Sequence, residues 1–118
     1  WDFSRWFPRP ITVYAKREER RRKGPLLITH SPTSEVRKQT DVFVRVMERL
    51  QQAYDVRYEV LTGLPHAEVM VRKARADILY DQLVRCYGTN ALEAWALGIP
   101  VVTGMPSELN DFIQTEIG

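Results

Sequence analysis

One cysteine, Cys86, and two histidines, His30 and His66, are all that this 118-residue chain offers in thiol and imidazole ligands. A single cysteine excludes an internal disulfide and fits a reducing compartment. The three residues are too widely spaced for a metal site, so no metal is expected. No apolar run approaches the roughly 20 residues that span a bilayer, and no stretch has the pattern of a secretory signal. A cytoplasmic setting is the expectation that follows. Neither a P-loop nor a G-x-G-x-x-G fingerprint occurs. The net charge of +2 is too small an excess to argue for nucleic acid. The basic run from Lys16 to Lys23 does not change this, because no aromatic side chains interleave its charges. It reads as a solvated linker, with peripheral contact to an anionic membrane surface as the minor option.

What is present is the composition of an ordinary globular domain, 44% hydrophobic and 27% charged, at a length that allows one domain. Residues 1–24 form an N-terminal extended segment and charged linker. Trp1 to Pro10 is rich in aromatics and proline, Ile11 to Ala15 is a candidate short strand, and Gly24-Pro25 closes the basic run. Residues 25–118 form the regular part. Leu26-Leu27-Ile28 reads as a strand buried on both faces. Asp41 to Tyr54 reads as an amphipathic helix with Val42, Phe43, Val46, Met47 and Leu50 inward, begun by Gln39 or Thr40. Val56 to Leu61 is a strand nearer an edge. His66 to Arg75 is a short helix with Pro65 in its first turn. Ala76 to Tyr80 is a buried strand, Val101-Val102 another, and Pro106 to Ile117 a last helix. The order β-α-β-α-β-α-β-α implies parallel strands joined by right-handed crossovers, a doubly wound Rossmann-like α/β sheet. The chain starts at Trp1 and stops straight after a helical pattern, so a truncated domain is expected.

The stretch from Gly88 to Gly104 carries the most information. Asn90 is suited to cap a helix, Gly98 to the left-handed position after its last turn, and Pro100 to prevent its continuation. Ala91, Leu92, Ala94, Trp95, Ala96 and Leu97 make that helix apolar nearly all round, which predicts deep packing. Glu93 is the exception. Its spacing from Asn90 allows a reciprocal cap, and its place in a buried helix allows a ligand role.

In an open parallel sheet, ligands bind outside the carboxyl ends of the strands. Three loops there suit an anion. Gly88-Thr89-Asn90 opens a helix, whose free N–H groups and dipole favour phosphate, and Gly88 allows close approach. Lys38, beside Arg37, follows the first strand. Arg85 offers a forked cation. Glu93 is able to accept hydrogen bonds from two neighbouring hydroxyls, as on a ribose. Asp81 reads as ordering the adjacent loop, and the two histidines as loop or core residues.

From Leu26 to Thr103 the chain resembles the C-terminal, donor-binding domain of GT-B-fold glycosyltransferases of the group 1, family 4-like type. The resemblance rests on His30-Ser31-Pro32 followed by Lys38-Gln39-Thr40-Asp41, on Gly63-Leu64-Pro65-His66, on Ala76-Asp77-Ile78, and on Asp81-Gln82-Leu83. It continues through Tyr87-Gly88 and Ala91-Leu92-Glu93-Ala94 to Ala96-Leu97-Gly98-Ile99-Pro100-Val101-Val102. It implies metal-independent transfer of a sugar from a nucleotide-diphosphate sugar, the donor substrate, with no cofactor. The cleft would lie between this domain and an N-terminal acceptor domain that this sequence lacks. Within the resemblance Lys38 contacts the diphosphate, Glu93 is the second glutamate of an E-x7-E motif and holds the ribose, and Gly88, Thr89 and Asn90 face the phosphates and donor sugar.

The pattern is broken at the first glutamate, where Arg85 stands, at Gln39, which replaces a glycine, and at Glu35. These departures favour binding over turnover by this chain alone, and no catalytic residue is assigned. Two other readings are a degenerate, non-catalytic binding or scaffolding module and a nucleotide-sugar epimerase-like domain.

Overall fold

The computed structural model describes residues 24–85 and 87–116. The N-terminal aromatic segment, the candidate strand at 11–15, the basic run, Cys86 and the last two residues lie outside the described residues. The regular elements are β1 (Leu26–His30), α1 (Thr40–Leu50), β2 (Val56–Val60), α2 (His66–Lys73), β3 (Ile78–Gln82), α3 (Thr89–Ala96), β4 (Val101–Thr103) and α4 (Ser107–Glu116). The strict alternation of strand and helix expected from hydrophobic periodicity is the one observed.

All strand pairs are parallel, in the order β2-β1-β3-β4. The result is a four-stranded parallel sheet flanked by helices, consistent with a Rossmann-like fold. Leu79 and Tyr80 are consecutive on β3 and therefore point to opposite faces. Each belongs to a separate cluster. Leu79 packs with Ala76, Ala94, Leu97 and Ile99, the side of α3. Tyr80 packs with Phe43 and Met47 of α1, backed by Ile28 and Val60. Phe43 and Met47 stand four residues apart, so one helical face reaches the sheet. Phe43 stacks on Tyr80 with ring centroids 4.9 Å apart.

Several boundaries differ from the expectation. α1 stops at Leu50, and Gln51–Ala53 continue only as turns. Val46, expected inward, is exposed beside the buried pair. Pro65 is the residue before α2 and not part of its first turn, and α2 ends at Lys73. The strand placed at Ala76 to Tyr80 runs instead from Ile78 to Gln82. Asp77 explains the later start. Its backbone N–H donates to Leu27 O at 2.8 Å, while its carboxylate accepts from Leu27 N at 2.9 Å, clamping β1 just before the ladder begins. The register between β3 and β4 slips between Tyr80 and Gln82, leaving Asp81 at a bulge without a partner on β4.

α3 ends as its sequence predicts. Gly98 has φ 71°, and the bonds Gly98 N to Trp95 O and Ile99 N to Ala94 O close a Schellman turn. Deep packing on all sides is corrected, however. Ala91, Ala94 and Leu97 are buried, whereas Leu92 and Trp95 are exposed, because only one face of α3 meets the sheet. Trp95 lies instead against Tyr87, ring centroids 5.1 Å apart. Among the described residues no helix is long and apolar enough to cross a membrane.

Gln39, just before α1, has φ 53°. A left-handed backbone costs a residue with a Cβ roughly 1–2 kcal/mol. The side-chain oxygen of Gln39 is also buried without a partner. Gln39→Gly is therefore expected to stabilise the chain by about 1 kcal/mol, measured as a raised urea midpoint. A lowered midpoint would show that the Gln39 side chain contributes more than its backbone costs.

Candidate functional site

A cleft of about 420 Å³ opens at the carboxyl ends of the strands. The loop after β1 contributes Ser31 and Thr33, the loop after β2 contributes Thr62 and Gly63, and α2 contributes His66 and Lys73. Thr89, Asn90 and Glu93 complete it from the start of α3. Its size is that of a small-molecule site. Its position is the one that sheet geometry predicts, where loops meet helix N-termini.

Two carboxylates organise this end of the sheet. Asp81, fully buried at the β3 bulge, accepts from Lys38 Nζ at 2.8 Å and from the Gly88 amide at 3.0 Å. The loop after β1 is thereby tied to the residue that opens α3. Gly88 fits the close approach of Lys38, whose Nζ would lie 3.5 Å from a Cβ there, an ordinary contact. What comes close to Gly88 is thus the lysine of the chain itself.

Glu93 is the second centre. Its Oε2 accepts from Lys73 Nζ at 2.7 Å, and its Oε1 lies 3.1 Å from His66 Nε2. Asn90 Oδ1 accepts from Ser31 Oγ at 2.7 Å and also from Lys73 Nζ. The reciprocal cap expected from spacing is not formed. Gly88 is the residue before α3, and no side chain caps it. Asn90 lies inside the first turn and, like Glu93, turns toward α2.

Behind the cleft stands His30, with no exposed surface. Its Nδ1 is 3.0 Å from Tyr80 O and its Nε2 2.8 Å from Thr40 Oγ1. A carbonyl only accepts, so Nδ1 carries the hydrogen and Thr40 donates to Nε2. Burial holds the imidazole below its usual pKa, opposed by the Tyr80 carbonyl and the Asp81 charge. His30 is thus a neutral core residue joining β1, α1 and β3. Burial likewise lowers the pKa of Lys73, against the hydrogen bond and charge of Glu93. Burial raises that of the Tyr80 phenol.

Among the residues singled out from sequence, Thr89, Asn90 and Glu93 line the cleft. Lys38 and Gly88 meet at Asp81 beside it. Arg85 is exposed on the bend after β3. Asp81 orders the loop it precedes, as expected. Lys73 escaped sequence reasoning. A lysine in the last turn of a short helix is ordinarily a solvated partner of the helix dipole, and no spacing marks this one as buried. None of the family models, curated proteins or solved structures compared with the chain matches it.

The His30 environment has a pH signature. Its folded-state pKa lies below the usual 6.5, so the unfolded chain binds the proton more readily. The stability contributed by neutral His30 is fully present above pH 6.5 and lost as pH falls through the lowered folded-state value. The urea midpoint of the parent is expected to fall more steeply from pH 7 to pH 5 than that of His30→Gln. Equal slopes would remove His30 as the cause.

Proposed function

We propose that this chain is the nucleotide-sugar-binding half of a metal-independent glycosyltransferase, the doubly wound C-terminal half of a GT-B fold. In this reading a sugar passes from a nucleotide-diphosphate sugar to an acceptor held by a separate N-terminal domain, in the cytoplasm and with no cofactor. The observation that carries the proposal is Glu93. It is an almost buried carboxylate in the wall of a cleft of about 420 Å³, with Oε1 on the half-exposed ring of His66. The Oε1 of a carboxylate so held is able to accept from the adjacent hydroxyls of a ribose.

The diphosphate would lie toward Lys38, Gly88 and the first turn of α3, Thr89 and Asn90. Lys38 spends one N–H on Asp81, and an ammonium has three. The remaining donors, with the N-terminal dipole of α3, offset charge on the departing diphosphate. Arg85 is the second cation of this reading, reaching the donor from its exposed bend. The cleft itself supplies orientation.

One observation favours a second reading, a binding or scaffolding module without turnover. Asp81 already neutralises the Lys38 ammonium and takes the Gly88 amide, the two groups best suited to phosphate. Nucleotide binding without sugar transfer to any acceptor, even with an acceptor domain supplied, would select this reading. Release of a free epimerised sugar would instead select epimerase-like chemistry.

Titration of the full chain with UDP or GDP to millimolar concentration is expected to shift the amide NMR signals of Gly88 to Glu93. Glu93→Ala should weaken that binding about tenfold, equivalent to about 1.4 kcal/mol. If neither nucleotide moves those signals, the donor-site reading fails.

A further inference from the structure

Lys73 is only 1% exposed, although it ends a helix at the surface of the domain. A lysine serving its own helix would reach that helix's last carbonyls or extend its ammonium into water. Lys73 does neither. Its ammonium crosses from α2 to α3 and donates to Glu93 Oε2 and Asn90 Oδ1, one helical turn apart on the wall of the cleft. A desolvated ion pair is no better for stability than a well-packed apolar pair. What Lys73 does to its acceptors is therefore the informative part.

The effect on Asn90 is visible. The amide presents its oxygen to both Ser31 and Lys73, while its nitrogen is buried without a partner. The ammonium dictates that orientation at the expense of a donor. The effect on Glu93 is to divide its oxygens: Oε2 belongs to Lys73, and Oε1 remains on the side of the half-exposed His66 ring, which a ligand hydroxyl is able to displace.

We propose that Lys73 is the positioning residue of the cleft: its buried ammonium orients Glu93, and Asn90 with it, so that Oε1 is presented to a ribose diol. This role rests on the donor-site reading. Among the described residues the charged and titratable groups around Glu93 are few. His66 and Lys73 come from α2. Asp81 of β3 acts on Lys73 by its charge and is matched by Lys38. β4, packed on the same helix, brings Val101, Val102 and Thr103.

The test uses the full chain carrying Lys73→Met, with Lys73→Gln as the neutral alternative if the methionine variant does not fold. Without ligand, the side-chain carboxyl signal of Glu93 and the side-chain amide signals of Asn90 are expected to shift in the variant. With UDP and GDP as probes, Lys73→Met should lose about tenfold in affinity. A loss of the same size in a His66→Asn background shows that it does not run through His66. In a Glu93→Gln background, Lys73→Met should cost less than about twofold, the non-additivity of residues acting through one contact.

Unchanged Glu93 and Asn90 side-chain signals overturn the role of Lys73, as does an affinity loss of equal size with and without Glu93. If the parent binds nucleotide and the variant binds it equally, only the role of Lys73 falls. If the side-chain signals shift but the parent binds neither nucleotide, the donor-site reading fails and the ribose assignment falls with it.

Discussion

The buried carboxylate of Asp81 is the constraint from which the functional end of this sheet follows. A carboxylate without exposed surface has to be met by a charge and by hydrogen bonds. Lys38 meets the charge, and the Gly88 amide meets the other oxygen. For Lys38 to reach it, the chain after β1 must turn tightly, which the bonds Lys38 N to Ser34 O and Thr40 N to Glu35 O accomplish. That turn leaves Gln39 in a left-handed conformation and starts α1 at Thr40. Thr40 in turn donates to His30, whose other nitrogen bonds the strand bearing Asp81. The circuit closes on itself, and each member has its conformation set by the next.

The cleft lies beside this circuit with its own charge balance. Lys73 and Glu93 compensate each other within α2 and α3, as Lys38 and Asp81 do between β1 and β3. The Asp81 charge also favours the charged form of Lys73, against the burial that lowers its pKa. A ligand bringing further negative charge would enter a site that is close to neutral. Its recognition would then depend on hydrogen-bond geometry more than on net attraction, which suits a sugar hydroxyl pair better than a bare anion.

The sequence makes the architecture legible and conceals the wiring. Apolar runs, the Asp41 amphipathic pattern and the Gly98-Pro100 stop determine where strands and helices fall, because burial against a two-faced sheet imposes those periods. Boundaries depend on side-chain bonds that periodicity does not register. β3 starts late because Asp77 bonds Leu27, and it runs on through Asp81 and Gln82, which look like loop residues until the bulge is seen. Glu93 stood out as a charge in an apolar helix. Lys73 did not, because its partners are 17 and 20 residues away and only the folded chain brings them together. Asn90 and Glu93 have the spacing of a cap, and Lys73 outcompetes that local arrangement for both.

α3 approaches the sheet on Ala91 and Ala94, neither with any exposed surface. Small side chains at the back of the helix set how near its axis lies to β3, and the same turns carry Asn90 and Glu93 on the front. The width of the cleft is thus fixed from behind. A single added branch at either alanine would lift the helix from the sheet and tilt both polar groups away from the ammonium that holds them. Such a change, remote from any ligand, would be mistaken for damage to the cleft itself.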